Sequence, residues 1–137
     1  TEDEPYRVSW ECLASASKTF LPRLNEFEIP QRIALLNGKW LRIDGFLAFP
    51  LMVAESKEVM IMLNQWDGCC IGVPPTAYDA IEVKLRTPAK RTSAHALFSY
   101  GGATGKMRVD PYIEQRFLGG LYVLDDASLL TNIQPEL

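Results

Sequence analysis

Three short stretches of this chain alternate apolar and polar residues with a period of two, and that pattern commits much of the molecule to β-structure. In Trp40-Leu41-Arg42-Ile43-Asp44, Leu41 and Ile43 share one face while Arg42 and Asp44 take the other. Val59, Ile61 and Leu63 repeat the pattern along 59–63, and Ile81, Val83 and Leu85 repeat it along 81–85. Successive strand side chains point to opposite faces, so each stretch reads as a strand with one buried side. Residues 96–100, 106–109 and 118–124 are β-prone too, and the last run is apolar at nearly every position, as expected of a central strand. Gly101, Gly102 and Gly105 fall among these strands, where a residue without Cβ permits the bulge or sharp coiling that closes a small barrel, and Gly119-Gly120 has the same potential.

Helix is confined to the first third. Ser9 suits an N-cap for a segment with Trp10, Leu13, Ala14 and Ser17 on one side, ending before Pro22. A second turn is expected from Pro30, at the first helical position, to a left-handed exit at Asn37-Gly38. The expected fold is therefore mainly β: a small closed or partly open Greek-key barrel, OB-like, with one or two short N-terminal helices plugging one end. An SH3-like barrel or a small sandwich has similar strand spacing. The 137 residues form one domain in this reading, with 1–8 as a flexible tip and 131–137 as a flexible tail.

A net charge of −3 removes any global attraction for a polyanion, so nucleic acid is not the favoured partner. The basic run Lys84, Arg86, Lys90 and Arg91 reads as a solvated strand end and loop. The longest apolar stretch, 45–54, contains Pro50 and is about half the length of a membrane-crossing helix, so no transmembrane segment is expected. The opening Thr1-Glu2-Asp3-Glu4-Pro5 has no initiator methionine and looks like the start of a processed export product or of a trimmed chain.

Chemistry concentrates in Asn64-Gln65-Trp66-Asp67-Gly68-Cys69-Cys70-Ile71-Gly72-Val73-Pro74-Pro75. The prolines restrict the backbone and the glycines allow tight turns, so adjacent thiols would be presented at a fixed place. Four readings of Cys69 and Cys70 stand side by side. They are small core hydrophobes; or a strained ring disulfide, since neighbouring Cα atoms lie nearer than disulfides prefer; or ligands for a soft ion, Cu(I) or Zn; or redox thiols. The remaining ligand types are Cys12, the single His95 and the methionines, of which Met60 and Met62 share a strand face just upstream of Trp66. The metal set in this reading is Cys69, Cys70, Met60, Met62 and His95, and the binding set is Trp66, Cys69, Cys70 and Tyr78. Otherwise no cofactor is expected.

Other motifs carry less. Asp125-Asp126 resembles a carboxylate pair, but adjacent strand residues face apart, and a turn into 127–130 is the simpler expectation. Gly101-Gly102-Ala103-Thr104-Gly105-Lys106 is one residue short of a phosphate loop. Trp40, Phe46, Phe49, Trp66, Tyr100, Tyr112 and Tyr122 are candidates for a stacking platform of the kind on single-strand-binding OB domains.

The series Ile29-Pro30-x-x-Ile33-x-x-Leu36-x-Gly38-Lys39-x-Leu41-x-Ile43-x-Gly45-Phe46-x-x-x-Pro50, then Asn64-Gln65, Cys69-Cys70-x-Gly72-x-Pro74 and Leu121-Tyr122-x-Leu124-Asp125, resembles a bacterial family known only as a domain of unknown function. The likeness runs over roughly residues 10–130. It implies an export signal or lipoprotein anchor on the precursor, a cell-envelope or periplasmic location, an OB-like core, and relatives neighbouring ABC-type transport and metal-uptake genes. In one branch the cysteine loop reads Cys-x-His, whereas Gly72 stands at the histidine position here, which counts against carrying over a zinc site. The resulting expectation is a non-enzymatic envelope domain that binds a partner protein or transporter component, or a soft metal, through the 60–75 region. The alternatives are a Cu(I) or Zn carrier, a thiol redox protein and an OB-type oligonucleotide binder.

Overall fold

The computed structural model describes residues 1–49, 55–65, 74–90 and 99–130. Along the chain run β1 (Tyr6–Arg7), α1 (Trp10–Ala14) continued by a 3-10 turn (Ser15–Lys18), β2 (Phe20–Leu21), β3 (Glu26–Phe27) and α2 (Gln31–Ala34). The long strands follow: β4 (Trp40–Ala48), β5 (Glu55–Met62), β6 (Ala80–Lys90), β7 (Ser99–Glu114) and β8 (Phe117–Leu130).

The five long strands close on themselves in a ring of hydrogen bonds, in the order β4-β5-β6-β8-β7 and back to β4. All pairings in the ring are antiparallel except β6 with β8, which run parallel. β4 is the hinge of the closure. It pairs with β7 from Trp40↔Lys106 to Leu47↔Ser99, while its last residues also pair with β5, Phe46 opposite Met62 and Ala48 opposite Met60. The expected alternation is realised: Leu41, Ile43 and Leu47 are buried between half-buried neighbours. Val59 and Ile61, Ile81 and Val83, Ala103 and Met107, and Tyr122 and Leu124 complete the interior.

The closure demands close contact. A Cβ on Gly45 would lie 2.5 Å from the Met62 carbonyl oxygen and 3.2 Å from the Trp10 ring. At Gly105 it would meet the Leu124 side chain at 2.7 Å and the Asp125 carbonyl at 2.9 Å. Of the glycines expected to permit a bulge or close coiling, Gly105 sits at the register shift between Thr104 and Lys106, whereas Gly120 has nothing nearer than 4.0 Å; Gly45 was not among those expected.

The first third closes onto the ring as short pieces. Ser9 caps α1, its hydroxyl accepting from the Cys12 N–H. Gly38 leaves α2 with φ +83, and its N–H donates to the Met107 carbonyl, so the exit turn runs directly into the β4–β7 ladder. Pro30 sits one position earlier than expected, at the N-cap of α2. Helices this short are marginal alone, and burial of Leu13 and Ile33, each worth about 1.5–3 kcal/mol, is what holds them. Asp44 joins three elements: its carboxylate accepts from Arg7 at 2.7 Å and Arg42 at 3.1 Å, and its carbonyl accepts from Trp10 Nε1 at 2.7 Å. Tyr6 and Arg7 lie parallel to β4, and Glu2 pairs with Arg86; residues 131–137 lie outside the described residues.

Asp125 and Asp126 do not begin a turn. β8 continues to Leu130, and two steps along β6 or β7 correspond to three along β8 at this point, so one extra residue is accommodated as a bulge with Asp126 at φ +50. The bulge also changes where the side chains go: instead of facing apart, both carboxylates meet outward-facing arginines, Asp125 with Arg108 and Asp126 with Arg86.

Gly45→Ala is expected to lower unfolding free energy by about 1–3 kcal/mol in urea titrations, because backbone lies where its methyl must go. Gly120→Ala, whose nearest neighbour would be 4.0 Å away, should change it by no more than about 0.5 kcal/mol. Gln115 and Arg116 turn the β7–β8 hairpin with φ of 50 and 66, and Arg116→Gly should stabilise the protein by about 1 kcal/mol in the same assay.

Candidate binding groove

Outside the ring, one row of residues crosses four strands: Met60 opposite Glu82, Glu82 opposite Val123, and Val123 opposite Arg108. These alternate with core residues, so they form an outer surface, and that surface is the floor of a groove of about 810 Å³. Leu21, Pro22 and Arg23 make one wall, Pro75 to Tyr78 another, and the far end is the β7–β8 hairpin with Tyr112 and Phe117. The volume lies in the range of small-molecule sites, and apolar side chains make up most of the lining.

Two tyrosine hydroxyls fasten the N-terminal segment to the ring. Tyr78 donates to the Phe20 carbonyl at 2.6 Å, tying the turn after Pro74-Pro75 to the N-terminal segment. That turn is held internally: Asp79 Oδ1 accepts from the Thr76 N–H at 2.6 Å, and Thr76 Oγ1 accepts from the Tyr78 N–H. Tyr122 donates to the Leu13 carbonyl at 2.7 Å, joining β8 to α1. Burial pushes both phenols above their ordinary value, and for Tyr122 proximity to Cys12 and Tyr78 adds to the rise.

The charges of the groove fall into two groups. Arg108 is engaged by Asp125 at 2.8 Å and by Asp110 at 2.6 Å; the hydrogen bond it donates to Asp125 is the main reason that its guanidinium is held more firmly protonated than usual. Arg23, Glu82 and Lys84 line the same groove without an ion pair among the described residues.

Of the residues singled out from sequence, Met60 and Tyr78 come together here, with Met60 half-buried in the floor and Tyr78 in the wall. Met62 shares the strand face of Met60 but is fully buried between Phe46 and Ala80, so its thioether does not reach the groove. Trp66, Cys69, Cys70 and His95 lie outside the described residues. Among the described residues no group of three His, Cys, Asp or Glu side chains is placed to hold a metal ion. Cys12 is a half-buried free thiol in a separate shallow hollow with Ser9, Ser15 and Arg32.

The aromatic platform divides. Tyr122 is in the core, Phe46 and Tyr100 form an edge-to-face pair 5.1 Å apart, and Tyr112, 63% exposed, is at the groove. Phe117, 65% exposed, joins it there and was missed from sequence. The signal that would have found it is a hairpin turn, but Gln115-Arg116 lacks the Asn-Gly or Asp-Gly pair that announces one.

No family model matches this chain, and no curated protein matches it. Among solved structures, the crystal structure of a DUF3299 family protein from Pseudomonas aeruginosa is similar, with a TM-score of 0.61 over 97% of this chain and 99% of that one at 15% identity. At that identity the likeness establishes a shared fold. No helix among the described residues is long and apolar enough to cross a membrane.

The buried Tyr122 hydroxyl predicts a pH dependence. Its folded pKa lies above the ordinary 10.0, so its contribution to stability is complete below that value and is lost as pH rises through the folded value. Urea titrations between about pH 8 and about pH 11 should show wild-type stability falling more steeply than that of Tyr122→Phe. At about pH 8 the variant itself should be about 1–3 kcal/mol less stable, since the Leu13 carbonyl loses its donor.

Proposed function

We propose that this protein is a non-catalytic binding domain that receives a small ligand with an apolar body in the groove on the outside of its ring. The observation that carries the reading is the groove itself: a ligand-sized apolar hollow whose floor is hydrogen-bonded sheet and whose two walls are tied together through the Tyr78 hydroxyl. A rigid, preformed hollow binds without first ordering a loop, so little affinity is lost to conformational entropy. The absence of catalysis is part of the proposal. It is supported by the roles of the groove's side chains, where Arg108 is committed to two carboxylates and the one free thiol among the described residues, Cys12, lines a different hollow.

The strand order supports an OB-like assignment. Five strands form a ring in which the first pairs with the second and fourth and the third runs parallel to the fifth. OB domains bind on the face of the second and third strands and at the loop between the fourth and fifth. In this chain those elements are β5, β6 and the β7–β8 turn, which supply much of the groove's floor and its far end. The likeness is one of fold, and its functional weight is that of analogy. Kinship with the DUF3299 group, a cell-envelope location and service to a transport system belong to the same proposal. Their support is the fold likeness together with the motif resemblance across the chain.

The test is titration of folded protein with N-phenyl-1-naphthylamine, a neutral apolar fluorophore, against a variant that fills the groove. Gly120 lines the hollow and a Cβ there would meet only the Tyr112 Cβ, at 4.0 Å, so Gly120→Leu should enter the groove without unfolding the ring. Saturable one-site binding that weakens at least about tenfold in Gly120→Leu, with an unchanged melting temperature, is the expected result. No saturable binding, or binding that ignores the substitution, contradicts the proposal.

A further inference from the structure

Resting on that reading, we infer that the groove selects amphiphiles with an anionic head, and that Lys84 and Arg23 are the residues that read the charge. The occupant is a free monoanion with an aliphatic or aromatic body, such as a medium-chain carboxylate. The apolar part of the lining, including Met60, Tyr78, Val123 and Phe117, accounts for the body. The head is decided by which charges are already spent.

Five charged side chains line the groove: Arg23, Glu82, Lys84, Arg108 and Asp110. Arg108 and Asp110 satisfy each other at 2.6 Å, and Asp125 takes the rest of the Arg108 fork. That removes one cation and one anion from recognition. Of the three that remain, Lys84 is half-buried, whereas Glu82 and Arg23 are exposed. The Lys84 side chain makes no hydrogen bond or ion pair among the described residues, although Glu58 is its cross-strand partner and Glu82 precedes it by two residues on the same face. Half-buried Lys84, whose side chain has no partner among the described residues, is better placed to take an incoming carboxylate than exposed Glu82 is to hold an incoming cation. With Arg23 on the wall, the uncommitted charge is two positive to one negative, so the groove favours an anion even though the whole chain carries −3.

Glu82 opposes this preference and supplies an internal control. Its carboxylate shares the floor with Lys84, so neutralising it should strengthen anion binding, whereas removing Lys84 should abolish the discrimination.

The experiment is displacement of N-phenyl-1-naphthylamine by decanoate, decanol and decyltrimethylammonium, each kept below its micelle concentration, in low salt. The expected result is that decanoate displaces the probe at a concentration at least about tenfold lower than decyltrimethylammonium. Lys84→Met with Arg23→Met should erase that difference, and Glu82→Gln should widen it. Equal displacement by the two ions, or a preference that survives the double substitution, overturns the inference while leaving the groove as a binding site. Decanoate bound only on phosphatidylglycerol vesicles overturns it in favour of a membrane surface. Failure of the neutral probe to bind at all removes the underlying reading instead, so the two failures are separable.

Discussion

The structure depends on β4 serving two partners. A single strand lies along β7 for eight residues and, at its far end, bends onto β5, which turns a row of strands into a ring with no free long edge. Backbone must come within a carbonyl's contact of Gly45 for this to happen, and a side chain at that point would hold the strands apart. Curvature follows from closure, and the outer surface becomes a floor that neighbouring segments can wall in.

The walls come from the first third of the chain. Tyr122 reaches the Leu13 carbonyl and Tyr78 reaches the Phe20 carbonyl, so one short N-terminal segment is fastened to the ring at two places. Each bond gives a backbone carbonyl of the short N-terminal pieces a side-chain donor from the ring. The arginines perform a different task. Arg42 and Arg7 converge on Asp44, and Arg86 and Arg108 each hold one carboxylate of the β8 bulge. Such exposed pairs add little stability individually, and their consequence for the groove is that they decide which charges stay free.

The strands were legible because a half-buried strand writes its orientation into every second residue, and Leu41, Ile43, Val59, Ile61, Ile81 and Val83 all lie on the face that the alternation assigned to them, whereas Leu63, just past the end of β5, is exposed. Capping was legible for the same local reason, at Ser9 and at Asn37-Gly38. Non-local pairings and unusual backbone were not. The bulge at Asp126 and the turn at Gln115-Arg116 place non-glycine residues in left-handed conformations that no local signal announces, and with that turn went Phe117. The groove was only partly visible, through Met60 and Tyr78, because its lining comes from five separate segments whose proximity is a property of the ring. The cysteine loop, which drew most of the chemical expectation, lies with Trp66, Cys69, Cys70 and His95 outside the described residues, and Met62, expected beside Met60 as a metal ligand, is fully buried.

Closure of the ring is tested most directly by native-state hydrogen exchange at the amides of β4 and β7. In a closed ring the amides that bond across Leu41↔Gly105 and Ile43↔Ala103 exchange only by global unfolding, with the same denaturant dependence as the β5–β6 amides. Exchange of the β4–β7 amides through a local opening far below the global free energy, as at the seam of an open sheet, would contradict the account.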